Sequence, residues 1–111
     1  MKFCHKNTYE KKLADGLTVL EYEKSPFNID GAIAYLDGVF GPKKNKTFTE
    51  LFYVVEGEVE IKSGNKIETL IKDDFYVMKP NITHILVGKK AKLFIVCNPP
   101  FDSNEMEIIN N

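Results

Sequence analysis

Hydrophobic and polar residues alternate along most of this chain with a period of two. In residues 58–62 (EVEIK), charged side chains alternate with Val59 and Ile61, so one face of the segment is apolar and the other is polar. Segments of this kind, rich in β-branched and aromatic residues, recur about every ten residues. The pattern predicts eight strands, over residues 17–23, 32–36, 47–55, 58–62, 66–71, 75–79, 83–87 and 92–97.

Turn-forming residues separate the predicted strands, among them Asp15-Gly16, Gly41-Pro42 and Glu56-Gly57. A period of 3.6 residues is weak and confined to one turn at 8–13 and another near 104–109. Short, evenly spaced strands with almost no helix are typical of an all-β sandwich or barrel.

The length of 111 residues is that of one domain, and no linker or repeat divides it. A domain of this size buries about two-thirds of the surface of its unfolded chain, so a second subunit on an exposed sheet face would add stability. The chain also has eight Phe and five Tyr, more than the interior of one small barrel needs. We therefore expect a homodimer.

Charge and cysteine content exclude several functions. Fifteen basic residues balance sixteen acidic ones, so no overall field would draw the chain onto nucleic acid or a membrane surface. The N-terminal residues lack the apolar run of a secretory signal, and Cys4 and Cys97 are far apart, which favours a reducing, cytoplasmic location. No phosphate loop or dinucleotide fingerprint is present. These features give no support for a nucleic-acid or membrane partner or for nucleotide-dependent catalysis.

The region around residues 38–57 resembles the first motif of the cupins, which are double-stranded β-helix (jelly-roll) barrels. That motif reads Gly, five residues, His-x-His, three or four residues, Glu, six residues, Gly. Gly38, Glu50 and Gly57 match it, while Lys44 and Lys46 stand at the two histidine positions.

The second cupin motif is matched at its histidine, His84. Asp73, Lys79, Asn81 and Gly88 replace its other residues. The resemblance covers about residues 17–98 and implies a single cupin domain over 1–111 with short terminal extensions.

In cupins that bind metal, the motif histidines and glutamate converge on one divalent ion. Carried over to this chain, only Glu50 and His84 can serve, because charged Lys44 and Lys46 have no lone pair and would repel the ion. We therefore expect no metal cofactor. The alternative is a metal-dependent cupin of dioxygenase, isomerase or lyase type, in which Glu50, His84 and other side chains hold Fe, Mn, Ni or Zn.

Two orientations of the lysines remain open. If Lys44 and Lys46 face inward, they could pair with Glu50 and form a cationic cup for an anionic ligand. If instead residues 42–46 form a solvated polar loop, the two ammoniums have no part in the site.

Glu50 and His84 are the candidate catalytic residues, because a carboxylate beside an imidazole can act as a general acid/base couple. A hydrogen-bonded core histidine is the alternative for His84. Period two places Phe52 on the face of Glu50. The candidate cup walls, which could equally be core or interface residues, are Tyr35, Tyr76 and Met78.

These residues predict a cup that binds a small polar or anionic metabolite, such as a sugar acid or sugar phosphate. Proton transfer by Glu50 and His84 would suit a sugar isomerase or epimerase, chemistries known among cupins. A non-catalytic sensory or interaction domain is a further alternative, since one fold serves many functions.

Overall fold

The computed structural model describes residues 1–109, which form eight strands and two single-turn 3₁₀ helices. The strands are β1 (Tyr9–Ala14), β2 (Leu17–Glu21), β3 (Asp30–Asn45), β4 (Thr49–Ser63), β5 (Lys66–Leu70), β6 (Phe75–Met78), β7 (His84–Asn98) and β8 (Met106–Ile108). The 3₁₀ turns are His5–Asn7 and Ser103–Glu105. All the strand pairs are antiparallel, in the order β1-β2-β3-β7-β4-β5, with β6 on β4 and β8 on β3.

Strands β3, β4 and β7 are long and change register near their middles. Gly57, where β4 shifts against β7, has a φ of +77°, and a Cβ there would collide with the carbonyl oxygens of Lys89 and Lys90. Only glycine adopts this backbone so close to a neighbouring strand. The register shifts bend the three strands and fold the sheet onto itself around one core.

The core is apolar and draws on both halves of the bent strands, as the period-two pattern predicts. Its buried members are Leu17, Val19, Ala34, Leu36, Phe40, Phe52, Val54, Val59, Ile61, Leu70, Met78, Leu86, Ala91 and Leu93. Side chains from β3, β4 and β7 supply ten of the fourteen, so the bent strands hold most of the interior.

The prediction of an all-β fold is confirmed, but several strand boundaries differ. The segments predicted at 47–55 and 58–62 are one strand, β4, and those at 83–87 and 92–97 are one strand, β7. The predicted turn at Glu56-Gly57 is instead a bulge, because the glycine bends the strand without reversing it.

Three stretches of strand were not predicted. Strand β1, where the sequence indicated a helical turn, is almost wholly exposed and so lacks a period-two signal. Strand β3 continues past the predicted turn at Gly41-Pro42. These two residues lie instead at a shift in register between Phe40 and Lys43, where β3 pairs with β7. The predicted helical turn near 104–109 is a 3₁₀ turn followed by β8, which pairs with the end of β3.

The outer face of the sheet carries paired apolar residues, including Ile33 opposite Phe94 and Leu51 opposite Val77. Such a face is available to a second copy of the chain, and the homodimer stays a prediction. No helix within residues 1–109 is long and apolar enough to cross a bilayer. The predicted single domain, 1–111, extends two residues beyond the described range.

Candidate functional site

Four polar side chains are buried within the described chain, and all four lie close to one end of the core. Lys43 and Asn45 are on β3, Glu50 is the second residue of β4, and His84 is the first residue of β7. Their exposed fractions are 4, 1, 5 and 1%. A buried charge is costly unless it is paired and hydrogen-bonded, so the contacts among these residues decide whether the site is stable.

Lys43 and Glu50 form a buried ion pair. The ammonium nitrogen of Lys43 lies 3.3 Å from Oε1 of Glu50, and Nδ2 of Asn45 donates to the same oxygen at 3.0 Å. The Lys43 ammonium also lies 5.2 Å from the centroid of the Phe40 ring, a favourable cation–π distance. Two donors therefore hold the carboxylate in place, and one of them carries a full positive charge.

His84 faces Lys43 across the β3–β7 ladder, where the two residues are direct partners. Its Nδ1 lies 2.9 Å from the carbonyl oxygen of Ile82, which fits a neutral ring that donates through Nδ1. Burial lowers the pKa of His84, and the Lys43 charge lowers it further, against the opposing effects of the Ile82 contact and Glu50. The neutral ring then carries a lone pair on Nε2.

Two buried acceptors of this cluster have no hydrogen-bond partner among the residues described: Oδ1 of Asn45 and Nε2 of His84. Unpaired polar atoms are uncommon in protein interiors, because each forfeits its hydrogen bond to water. The cluster thus retains unused lone pairs beside a carboxylate whose two donors, Lys43 and Asn45, both bind Oε1.

A cavity of about 80 Å³ opens beside the ion pair. At about 30 Å³ per water molecule in the liquid, this volume holds about two or three water molecules. The residues around it are Leu13, Leu17, Val19, Glu21, Tyr22, Lys24, Asp30, Gly31, Ala32, Phe40, Lys43, Glu50, Phe52, Leu86, Ile95, Cys97, Phe101 and Met106. Aromatic and aliphatic walls thus surround a small number of charged groups.

Three carboxylates and two ammoniums line this cavity. Besides Lys43 and Glu50, the charged residues are Glu21, Lys24 and Asp30, with Lys24 and Asp30 separated by 3.9 Å. Burial is the main cause of a raised pKa at Asp30, although the Phe101 backbone N–H donates to its carboxylate at 3.0 Å. The lining supplies both donors and acceptors, and carboxylates outnumber ammoniums by one.

Cys97 also borders the cavity and is buried. Burial raises the pKa of its thiol, and the nearby charges of Glu50 and Asp30 raise it further. Because the thiolate is the nucleophilic form, Cys97 is an inert wall residue.

The remaining predicted site residues divide between the cavity, the core and the surface. Phe52 lines the cavity together with Glu50, whereas His84 is buried in the polar cluster but is not among the cavity-lining residues. Met78 is buried in the core, and Tyr76 packs against it. Tyr35 lies on the outer face, 41% exposed, with its ring 5.8 Å from the Lys92 ammonium.

Lys44 and Lys46, the other predicted ligand-binding residues, do not reach the interior. Lys44 is partly exposed and lies 4.0 Å from Glu107 on β8, and Lys46 is exposed. Lys43 and Asn45 occupy the inward positions instead. Adjacent strand residues face opposite sides, so the register shift between Phe40 and Lys43 decides which pair of residues enters the barrel.

Comparison of the whole chain with solved structures gives close agreement in fold at low sequence identity. Streptomyces Pac13 with uridine superposes with a TM-score of 0.87 at 14% identity, covering 98% of this chain and 90% of that one. KdgF from Halomonas sp. superposes with a TM-score of 0.77 at 17% identity, covering 92% of this chain and 97% of that one. A cupin-2 domain protein from Shewanella frigidimarina superposes with a TM-score of 0.60 at 19% identity, covering 69% of this chain and 76% of that one. The chain has a cupin fold. Its sequence matches no protein-family model and no curated protein.

Two of the four buried polar residues, Glu50 and His84, stand at positions of the cupin metal motifs, and Lys43 and Asn45 each stand one residue before a histidine position. With four residues between the second histidine position and Glu50, the histidine positions become Lys43 and Asn45. The first motif permits this spacing before the glutamate. Only four residues then lie between Gly38 and Lys43, where the motif has five. That permitted spacing is the signal in the sequence that could have identified the two inward residues.

The residues present do not fit a divalent metal ion. The Lys43 ammonium has no lone pair, and the Asn45 amide turns its NH₂ group toward Glu50. Nowhere in residues 1–109 do three or more His, Cys, Asp or Glu side chains come close enough to share an ion. The chemistry of this cup therefore has to be derived from its own acid, base and aromatic groups.

Proposed function

We propose that this cupin binds a small, uncharged, polyhydroxylated metabolite in its cavity and catalyses a proton transfer on it. The observation that supports this function most directly is the pairing of a carboxylate with an ammonium, 3.3 Å apart, on the wall of an otherwise largely apolar cavity. A carboxylate in such a place can accept a proton from a bound ligand, and an ammonium can stabilise the negative charge that results.

The proposed reaction is the interconversion of an aldose and a ketose. Glu50 takes the proton from the carbon next to the carbonyl group, and the Lys43 ammonium stabilises the negative charge that develops on the carbonyl oxygen. Glu50 then returns the proton to the former carbonyl carbon, while the neighbouring hydroxyl passes its proton to that oxygen. No atom is gained or lost.

His84 acts in this scheme as a positioning residue. It is the cross-strand partner of Lys43, and its unpaired Nε2 is an acceptor inside the same cluster. A neutral ring there limits where the Lys43 side chain can lie. In this scheme Glu50 and Lys43 are the catalytic pair, in place of the pair Glu50 and His84 that the sequence suggested.

The charge balance of the cavity favours an uncharged ligand over the anionic one also considered from the sequence. Each of the three cavity carboxylates faces an ammonium: Glu50 with Lys43 at 3.3 Å, Asp30 with Lys24 at 3.9 Å and Glu21 with Lys11 at 3.1 Å. A phosphate or sugar acid would therefore find both ammoniums of the lining, Lys24 and Lys43, already paired. Hydroxyl groups can both donate to Glu50 and accept from Lys43, and aromatic walls suit the apolar faces of sugars and bases. The fold neighbour Pac13 is a nucleoside dehydratase and was seen with uridine, which is also uncharged.

Binding can be tested by calorimetry with matched pairs of neutral and anionic ligands: uridine against uridine monophosphate, and ribose against ribose 5-phosphate. We expect the neutral member of each pair to bind more tightly, and Glu50→Gln and Lys43→Met to weaken that binding at least about tenfold. Lys44→Met is the matched control and should bind as the wild type does. Tighter binding of the phosphates would overturn the choice of ligand.

Catalysis can be tested by NMR detection of deuterium that enters the ligand from D₂O during incubation with a panel of aldoses and ketoses. We expect incorporation at the carbon next to the carbonyl group in at least one sugar, reduced about 10²–10⁴-fold in Glu50→Gln. Binding without incorporation across the panel would exclude the proposed reaction and leave a binding module.

A further inference from the structure

We infer that the ammonium of Lys43 takes, inside this barrel, the place that a divalent cation takes in cupins that bind metal. Whatever ligand enters the cavity, the chain then provides its own internal cation. Three features support this assignment: the position of Lys43, the unpaired polar atoms of its neighbours and the positive charge that it places among them.

Lys43 lies among the other three motif residues. It is 3.3 Å from Glu50, it is the direct cross-strand partner of His84, and Asn45 donates to the same carboxylate oxygen that it contacts. All four side chains are at least nine-tenths buried. A lysine that merely lined the cavity mouth would be free to leave this group for water.

The cluster still holds the lone pairs that a metal would use. Beside the Glu50 carboxylate, Nε2 of His84 and Oδ1 of Asn45 are buried without partners among the described residues. These three groups belong to the ligand types that bind divalent transition ions. Lack of donor atoms is thus only part of the reason why a metal does not fit, and the other part is the positive charge already in place.

A charge at this point is an effective barrier to a second cation. Repulsion between ions a few ångströms apart is strong where little water screens them. A divalent ion at the Glu50 carboxylate would also lie close to the Lys43 ammonium, which is 3.3 Å from Oε1. The geometry thus predicts that the Lys43 charge controls metal binding, and that adding one more ligand changes little while that charge stays.

The test compares Co²⁺ and Ni²⁺ binding, by calorimetry and by the visible absorption of Co²⁺, across wild type and four variants purified without an affinity tag. Asn45→His adds a ligand and keeps the charge. Lys43→Met removes the charge and adds no ligand. The double variant Lys43→Met/Asn45→His does both, and Lys44→Met removes a lysine from the outer side of the same strand.

We expect less than about a threefold change in affinity for Asn45→His and Lys44→Met, and an intermediate gain for Lys43→Met. The double variant should bind one equivalent at least about 100-fold more tightly than the wild type. A stoichiometric ion in the wild type, or equal gains in Asn45→His and the double variant, would overturn the assignment. Thermal unfolding checks each fold, and Lys43→Gln replaces Lys43→Met if the latter does not fold. None of these measurements uses a sugar or nucleoside, so they are independent of the proposed reaction.

Discussion

The interior of this barrel has an apolar region and a polar one, and the same long strands supply both. Leu36, Val54, Leu93 and their neighbours fill the first region with no polar side chain among them. At the polar end, Lys43 and Glu50 are buried to nearly the same degree beside a cavity. Burial alone therefore does not distinguish the two regions, whereas charge and packing do.

The difference shows how each region can fail. In the apolar region, each side chain contributes roughly in proportion to the contacts it makes, so one deletion costs that share. In the polar region, the partners depend on one another, since removing one leaves a buried charge unpaired. Single and double substitutions should thus give opposite results at the polar end.

The largest effect is expected for Glu50→Ala, which leaves the Lys43 ammonium buried without a carboxylate. We expect the free energy of unfolding to fall by about 3–5 kcal/mol, measured by urea denaturation. Because replacing both members of a buried pair by apolar residues is often neutral or stabilising, Lys43→Met/Glu50→Leu should recover most of the loss. Equal losses in the single and the double variant would show that the pair is not energetically coupled.

Leu93→Ala should cost about 3 kcal/mol, because it opens a void in the apolar region where Leu93 is 1% exposed. Leu93 does not line the cavity, so ligand affinity in the folded variant should stay within about twofold of the wild type. The same urea titration and the calorimetric assay check both values. A loss of ligand binding as large as that of Glu50→Gln would mean that the two regions are not separable.

The stability of the wild type should fall as the pH drops below the ordinary histidine value of 6.5, because His84 has a lowered pKa in the folded state. The unfolded chain then binds the proton more readily, so acid favours unfolding, by at most about 1.4 kcal/mol for each pH unit. Above pH 6.5 this contribution is fully present.

Urea denaturation of wild type and His84→Gln between pH 5 and pH 8 measures that slope as the difference between the two proteins. The subtraction removes effects common to both, such as the opposite contribution of Asp30, whose pKa is raised. His5→Gln is the matched control, because His5 is exposed. A slope that disappears in His5→Gln and survives in His84→Gln would refute the assignment.

The smallest effect is expected for Lys44→Met. Lys44 and Glu107 are 4.0 Å apart and partly exposed to solvent, so their pairing should contribute less than about 1 kcal/mol. Lys43→Met, one residue away, should cost several times more. Similar losses for the two substitutions, measured side by side, would contradict the inward and outward assignments of these lysines.

The sequence was sufficient for the all-β fold, since period two is a local signal. It indicated His84 as a residue of the cavity wall, whereas His84 is buried and does not line the cavity. It was insufficient to choose between Lys43 and Lys44, because that choice depends on a register shift created by pairing with β7, a strand about forty residues away. Tyr22, Lys24 and Phe101 lie outside the regular strands and reach the cavity only through the tertiary fold. No pattern in the sequence marked them.

The buried Lys43 also determines how the positive charge inside the barrel is provided. A charge that is part of the polypeptide is made on the ribosome with the rest of the chain, in a ratio of one per molecule, and needs no insertion step. Its amount would not vary with the minerals in the growth medium, and a chelating agent could not extract it.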